Sequence, residues 1–143
     1  LPEYLRSQAA ESGAAIDYRD WQVPLGRRFR SLKLWFTSRA GGARDAIEMI
    51  RRHVRLTQEL VEWVQADDRF EIVAPHPLNL LCIRLRSGDE ATDALIAAAN
   101  DSGEALFTRT VLDGKVACRV SLGGRTTERR HVADGWALLQ KLA

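Results

Sequence analysis

Apolar residues recur with helical spacing between residues 25 and 36. Leu25, Phe29, Leu32 and Phe36 follow one another at steps of three and four, so they would share one face of a helix, with basic side chains on the others. Pro24 stands before them, where its fixed φ and missing N–H suit a first helical turn. The pattern therefore predicts an amphipathic helix with a basic, solvated side.

A second helix is predicted for residues 43–66, separated from the first by Gly41-Gly42. Its apolar positions form two stripes, and a helix with two stripes is expected to be buried against two partners, as when it joins one domain to another. The first stripe is Ile47, Ile50, Val54, Val61 and Val64, and the second is Leu56, Leu60 and Trp63.

Four later segments have the β-branched, aromatic or alternating composition of strands. They are residues 70–74, 78–86, 105–112 and 115–122. Asp113-Gly114 separates the last two and is a strong signal for a two-residue hairpin turn.

Two more helices are predicted around these strands. Residues 90–100 would be buried through Ala91, Leu95 and Ala98. A final helix would be capped by Thr126 or Thr127 and buried through Val132, Trp136 and Leu139.

The order helix, strand, strand, helix, strand, strand, helix predicts an α+β domain. We expect an antiparallel sheet of about four strands with helices on one face, preceded by a loop and a helix. Residues 1–16 are small and polar, which is typical of a flexible loop. The chain is accordingly divided into residues 1–40, the loop and first helix, and residues 41–143, the α+β domain.

The composition is that of a folded globular chain. The 143 residues are 45% hydrophobic and 28% charged, which is enough for one domain with a real core. A formal charge of +2, with both signs interspersed, predicts neither a nucleic-acid nor a membrane partner. No apolar run approaches the ~20 residues that span a bilayer, and there is no signal-peptide pattern.

Few side chains suggest chemistry by themselves. Cys82 and Cys118 lie in apolar, strand-like runs without metal-site spacing, which favours buried free thiols, no metal and a reducing cytoplasm. His53, His76 and His131 are far apart in the sequence, so surface or capping roles are favoured over catalysis for each.

The order of residues 17–36, DYRDWQVPLGRRFRSLKLWF, closely resembles the segment after the active-site loop in pyridoxal-phosphate-dependent decarboxylases of aromatic amino acids. This is the group II family, which also includes histidine and glutamate decarboxylases. The resemblance continues at IRRHV (50–54), DRFEI (68–72), CIRL (82–85) and RTTE (125–128). It implies the C-terminal small domain of a fold-type I enzyme that is a cytoplasmic homodimer, and the last third or so of a longer polypeptide, starting just before a mobile loop.

The resemblance places Tyr4 at the loop tyrosine that, in related decarboxylases, protonates the substrate α-carbon after carbon dioxide leaves. A phenol suits that step when a closed loop excludes water. Plant relatives with Phe at this position are aldehyde synthases, so Tyr favours simple decarboxylation. The alternative is a tyrosine that only anchors the loop.

Two further positions match substrate-binding positions of the family. Gly26 matches a residue that is Gly in aromatic amino-acid decarboxylases and Ser in histidine decarboxylases, facing the partner subunit's pocket, where it would leave room for an aromatic ring. From the backbone alone, Gly26 is an ordinary first-turn residue. Arg119 matches a strand arginine that binds substrate carboxylate in glutamate decarboxylases, and a cross-strand ion pair is an equally good alternative. Gly123-Gly124-Arg125 departs from the Ser-Asn-Pro of glutamate decarboxylases, which weakens a glutamate substrate.

Decarboxylases of this family hold pyridoxal phosphate through a lysine amine. The lysines here are Lys33, Lys115 and Lys141, and none follows the His that precedes the family's cofactor lysine. We therefore expect no cofactor-binding residue in this chain. The cofactor lysine, the His stacked on the ring and the Asp at the pyridine nitrogen would all precede Leu1.

The hypothesis that follows is a pyridoxal-phosphate-dependent carboxy-lyase that converts an aromatic L-amino acid to its amine, with the present chain inactive alone. One alternative is a non-catalytic binding or assembly domain with a decarboxylase-like fold. Another is a decarboxylase for histidine or glutamate.

Overall fold

The computed structural model describes residues 12–14, 16, 21 and 28–143. The chain divides into two compact units, Leu1–Ala40 and Gly41–Ala143. Its elements are α1 (Arg30–Gln65), β1 (Phe70–Ile72), β2 (Leu80–Leu85), α2 (Asp89–Asp101), β3 (Thr108–Leu112), β4 (Lys115–Ser121) and α3 (Arg129–Leu142). The predicted order of helices and strands is confirmed. The roles predicted for residues 1–40 and 41–143 stay predictions.

Helix α1 is broken at Gly42, whose φ of 70° and ψ of 168° are not helical. A side chain at this φ would be strained, so glycine is the residue that permits the break. The Gly41-Gly42 pair was predicted to separate two helices, and the backbone confirms a break at its second glycine.

Burial along α1 begins only at His53, and it continues through Leu56, Leu60 and Val64. Ile47 and Ile50 are exposed within this chain, so the burial predicted for them against a second partner stays a prediction. They are exposed because the core cluster of the Gly41–Ala143 unit takes residues of α1 only from Leu56 onwards.

The four strands form one antiparallel sheet with the order β1-β2-β4-β3. Strands β3 and β4 are joined by Asp113-Gly114, whose φ angles of 49° and 76° are those of a two-residue hairpin turn. Strand β3 starts later than predicted because the backbone N–H and carbonyl of Phe107 are both hydrogen-bonded to the Asn100 side chain. The Phe107 N–H donates to Asn100 Oδ1 at 2.7 Å, and Asn100 Nδ2 donates to the Phe107 carbonyl at 3.0 Å.

The helices of the Gly41–Ala143 unit pack on one face of this sheet, as the α+β prediction requires. Alternate sheet residues, among them Phe70, Ile83 and Cys118, enter one apolar cluster with side chains of all three helices. Phe70 contacts Trp136 of α3 with ring centroids 4.8 Å apart. Side chains at the intervening strand positions lie on the opposite, open face of the sheet.

Two predictions about helix details are wrong. Helix α2 buries Thr92, Ile96 and Ala99 with Leu95, whereas Ala98 is exposed. Thr92 faces the sheet because its hydroxyl donates to the Gly88 carbonyl and accepts the Leu85 N–H, which satisfies a polar group inside the core.

The cap of α3 is the second correction. The N-cap residue is Glu128, and neither Thr126 nor Thr127 fills that position. Glu128 and His131 form a reciprocal capping box, in which the Glu128 backbone N–H donates to His131 Nδ1 at 3.1 Å.

Gly135 in α3 allows a direct test of the helix packing. An alanine Cβ there would lie 3.6 Å from Phe107 Cζ, an ordinary contact, and alanine is favoured over glycine in a helix interior by about 1 kcal/mol. We expect Gly135→Ala to raise the free energy of unfolding by about 0.5–1 kcal/mol in urea titrations. Gly103→Ala is the matched control, because φ at Gly103 is +72° and alanine there should destabilise. A lower unfolding free energy for Gly135→Ala would contradict the packing.

Candidate functional site

The open face of the sheet carries the one sequence-predicted site residue that the structure describes. Arg119 lies on β4, with Cys82 of β2 opposite it on one side and Thr108 of β3 on the other. Because residues directly opposite each other on neighbouring antiparallel strands project to the same face of a sheet, these three residues share the open face. Neither neighbour carries a carboxylate.

Arg119 is exposed and makes no ion pair or hydrogen bond with any residue that the structure describes. The other strand arginines differ. Arg84 Nη2 lies 2.6 Å from Asp89 Oδ1, and Arg109 Nε lies 2.6 Å from Asp93 Oδ1. The alternative that the sequence allowed, a cross-strand ion pair, is therefore absent from the described strands, because neither residue paired with Arg119 carries a carboxylate. The Arg119 guanidinium is available to an anion.

The Cys82 thiol gives Arg119 a neutral neighbour. Burial raises the pKa of Cys82, and the nearby charge of Arg119 opposes this with a smaller effect. On the opposite face, burial raises the pKa of Cys118 to about 12. Both cysteines are free and buried, as predicted, and both stay protonated near neutral pH.

Arg84 lies on the same face and is only 9% exposed. Its Nη2 bonds Asp89 Oδ1 at 2.6 Å, its Nη1 bonds Glu71 Oε1 at 3.4 Å, and Asp89 Oδ1 also accepts the Val116 N–H at 3.0 Å. The cluster thus links β1, β2, β4 and the start of α2. Since two carboxylates already engage Arg84, it is not available to a ligand anion. Sequence reasoning missed this cluster.

The histidines follow the predicted surface or capping roles only in part. His131 caps α3, whereas His53 is buried and its Nε2 has no hydrogen-bond partner in the part of the chain that the structure describes. His53 is buried because it begins the inward stripe of α1, one turn before Thr57, whose hydroxyl donates to the His53 carbonyl at 2.9 Å.

Comparison with known proteins identifies the family. Residues 1–86 match the family model described as "Pyridoxal-dependent decarboxylase conserved domain". The chain belongs to the pyridoxal-dependent decarboxylase family. Phenylacetaldehyde synthase from Arabidopsis thaliana and tyrosine decarboxylase 2 from Narcissus pseudonarcissus are each 38% identical over 149 residues, which cover 99% of this chain and 30% of each relative.

A solved decarboxylase structure shares the fold. The crystal structure of Oryza sativa TDC with PLP and tryptamine superposes with a TM-score of 0.82 at 37% identity, covering 99% of this chain and 31% of that one. The sheet and helices therefore match the small domain of these enzymes, as the sequence predicted. The chain spans only about 30% of the length of the relatives that it matches.

Pyridoxal phosphate, the cofactor of this decarboxylase family, finds no fitting site among the described residues. Lys33, Lys115 and Lys141 are all exposed, and Lys141, which lines a cleft, lies at a surface open to solvent and not in an enclosed site that could hold a covalently bound ring. The described residues also contain no His, Cys, Asp and Glu group suited to a metal ion.

Two site residues predicted from the decarboxylase resemblance, Tyr4 and Gly26, lie outside the described residues. Their roles therefore stay predictions. Among the helices that the structure describes, none is long and apolar enough to cross a membrane.

Proposed function

We propose that the chain is the C-terminal part of a pyridoxal-phosphate-dependent decarboxylase that releases carbon dioxide from an aromatic L-amino acid and forms the amine. The main support is the similarity over 99% of the chain to a protein named tyrosine decarboxylase. In this proposal the cofactor is bound by a domain upstream of Leu1, and the full-length protein is a cytoplasmic homodimer.

Three residues of this chain have roles in the proposal. Arg119 holds a substrate carboxylate, Gly26 leaves space for the aromatic ring, and Tyr4 protonates the α-carbon. The exposed, unpaired guanidinium of Arg119 supports the first role, because a planar fork without a competing carboxylate suits carboxylate recognition.

An aldehyde synthase is the second candidate, because the Arabidopsis thaliana phenylacetaldehyde synthase is as similar, at 38% identity, as the tyrosine decarboxylase. Tyr4 favours the decarboxylase. The two candidates separate when the full-length protein is given tyrosine, tryptophan, phenylalanine, dihydroxyphenylalanine, histidine and glutamate, and carbon dioxide, amine and aldehyde are measured. Amine from an aromatic amino acid supports the proposal. Aldehyde as the main product, or preference for histidine or glutamate, would overturn it, and no turnover would favour an assembly domain.

Arg119→Gln in the full-length enzyme should raise KM for the amino acid by about 10- to 100-fold, the range expected for losing a charge-assisted hydrogen bond. Arg119→Lys keeps the charge but loses the fork, so it should recover only part of the affinity. Arg109→Gln is the matched control, since Arg109 is a strand arginine already paired with Asp93. Equal KM values for Arg119→Gln and Arg109→Gln would show that Arg119 does not bind substrate.

The 143-residue chain alone should form no stoichiometric covalent adduct with pyridoxal phosphate. All three of its lysines are exposed, so each should react only weakly and without selectivity. Borohydride reduction followed by peptide mass spectrometry measures this, with the full-length protein as the positive control. Complete labelling of one lysine in the 143-residue chain would contradict the expectation.

A further inference from the structure

An apolar slot of about 120 Å³ lies on the helix side of the sheet, within the Gly41–Ala143 unit. Most of its lining comes from buried core side chains, including Ile83, Phe107, Val120, Trp136 and Leu139. The slot is therefore a gap at the edge of the core between α3, the end of β4 and the segment before β3.

The size and lining of the slot suit one aromatic ring. A cavity of about 150 Å³ lined by Leu, Ile and Phe, engineered in another protein, stays dry and takes up benzene. Water in such a slot would find few polar partners. Ser121 and His131 line the slot but are exposed, so they belong to its solvent end.

A wider cleft of about 550 Å³ adjoins the slot, because Ala105, His131 and Gly135 line both. Glu104 and Asp134 supply carboxylates to this cleft, and neither forms an ion pair with a basic residue in the described part of the chain. Lys141 also lines the cleft, which leaves a net charge of one negative unit from these three side chains. The cleft thus favours a cation.

Gly135 lies where the two spaces meet. A Cβ at this position would contact Phe107 Cζ at 3.6 Å, so the missing side chain widens the passage between the slot and the cleft.

We propose that the slot and the cleft together bind an arylalkylamine, with its ring in the slot and its ammonium group near Glu104 and Asp134. The ring and the ammonium meet complementary surfaces in two spaces that share residues. If the proposed function is correct, the product of the enzyme is itself an arylalkylamine. Only the source of the ligand rests on that proposed function. The site would then sense product through the small domain.

Titration of the 143-residue chain with 2-phenylethylamine tests the site. Amide signals of Gly135 and the indole N–H signal of Trp136 should shift in ¹H–¹⁵N spectra, with a Kd of about 1 mM, as expected for a small ligand in a partly open site. The controls are 2-phenylethanol, which lacks the charge, and 3-phenylpropionate, which reverses it. The amine should bind more tightly than both. No shift at about 10 mM amine, or equal binding of amine and alcohol, would overturn the proposal.

Variants locate the site. Glu104→Gln with Asp134→Asn should weaken amine binding about fivefold, the range for exposed ion pairs, and leave alcohol binding unchanged. Glu90→Gln with Asp101→Asn removes the same charge from exposed positions outside the slot and the cleft, and should not change the affinity for the amine. Equal affinities of the two double variants for the amine would contradict the charge assignment.

Gly135→Ala provides a variant that is expected to fold at least as well as the parent chain. It should weaken binding of both amine and alcohol by narrowing the passage, and unchanged binding would contradict the position of the slot. All these measurements use binding to the chain itself. If the amine does not bind, the proposed decarboxylation is unaffected. If the full-length protein is inactive but this chain still binds the amine, the proposed decarboxylation is rejected and the amine site is retained.

Discussion

Replacing Tyr4 by phenylalanine in the full-length protein is expected to lower amine formation by about 100-fold or more, the usual contribution of a positioned general acid. In our proposal the Tyr4 phenol donates the proton that the substrate α-carbon receives after carbon dioxide leaves. Phenylalanine keeps the ring and its packing but removes that proton. Substrate binding should therefore persist while kcat falls.

The measurement is kcat and KM for amine formation, with aldehyde followed in the same reactions. Tyr18→Phe is the matched control, because it makes the same chemical change at the chain's other tyrosine. Aldehyde in place of amine in the Tyr4→Phe enzyme would agree with a role at the α-carbon. An undiminished rate of amine formation would show that Tyr4 only anchors its loop.

Features of the fold that depend on local chemistry could be predicted from the sequence. Asp113-Gly114 was recognised as a hairpin turn because both positions need a positive φ, which these residues tolerate. The break at Gly42 and the free, buried cysteines follow in the same way from residue type and pattern.

Features that depend on distant parts of the chain could not be predicted. The periodicity of α1 is the same at Ile50 and at Val64, but only Val64 enters the apolar core cluster. Thr92 was passed over as a core residue because the groups that satisfy its hydroxyl, at Leu85 and Gly88, become neighbours only in the folded chain.

The candidate site shows the same limit. Periodicity identified Arg119 as a strand residue, and the family resemblance implied that it binds a substrate carboxylate. Its lack of an ion pair could not be predicted, because this depends on Cys82 and Thr108 being its paired neighbours in the sheet. The slot beside α3 was not predicted at all. It arises where Phe107 faces a helix position that has no side chain, Gly135, and neither residue signals a cavity by itself.

Arg84 should be the polar side chain on which the stability of the domain depends most. Arg84→Met is expected to lower the free energy of unfolding by about 2–4 kcal/mol, because it removes the buried cation that pairs with Asp89 at 2.6 Å and leaves Glu71 with only the exposed Arg86 as an ionic partner among the described residues. The lower end of the range allows for partial solvation of both carboxylates, and urea denaturation of the 143-residue chain measures it. Arg84→Lys keeps the charge but cannot bridge both carboxylates with a planar fork, so it should lose an intermediate amount.

Arg86→Met is the control for this cluster. Arg86 Nη1 also lies 3.4 Å from Glu71 Oε2, but the Arg86 side chain is 60% exposed. Loss of this side chain should therefore change the free energy of unfolding by no more than about 0.5 kcal/mol. The contrast between the two arginines tests whether burial, rather than charge count, gives the cluster its effect. If Arg84→Met unfolds at the same urea concentration as Arg86→Met, the link through Asp89 to Val116 does not hold β2, β4 and α2 together, and the stability of the domain comes from the apolar cluster on the other face of the sheet.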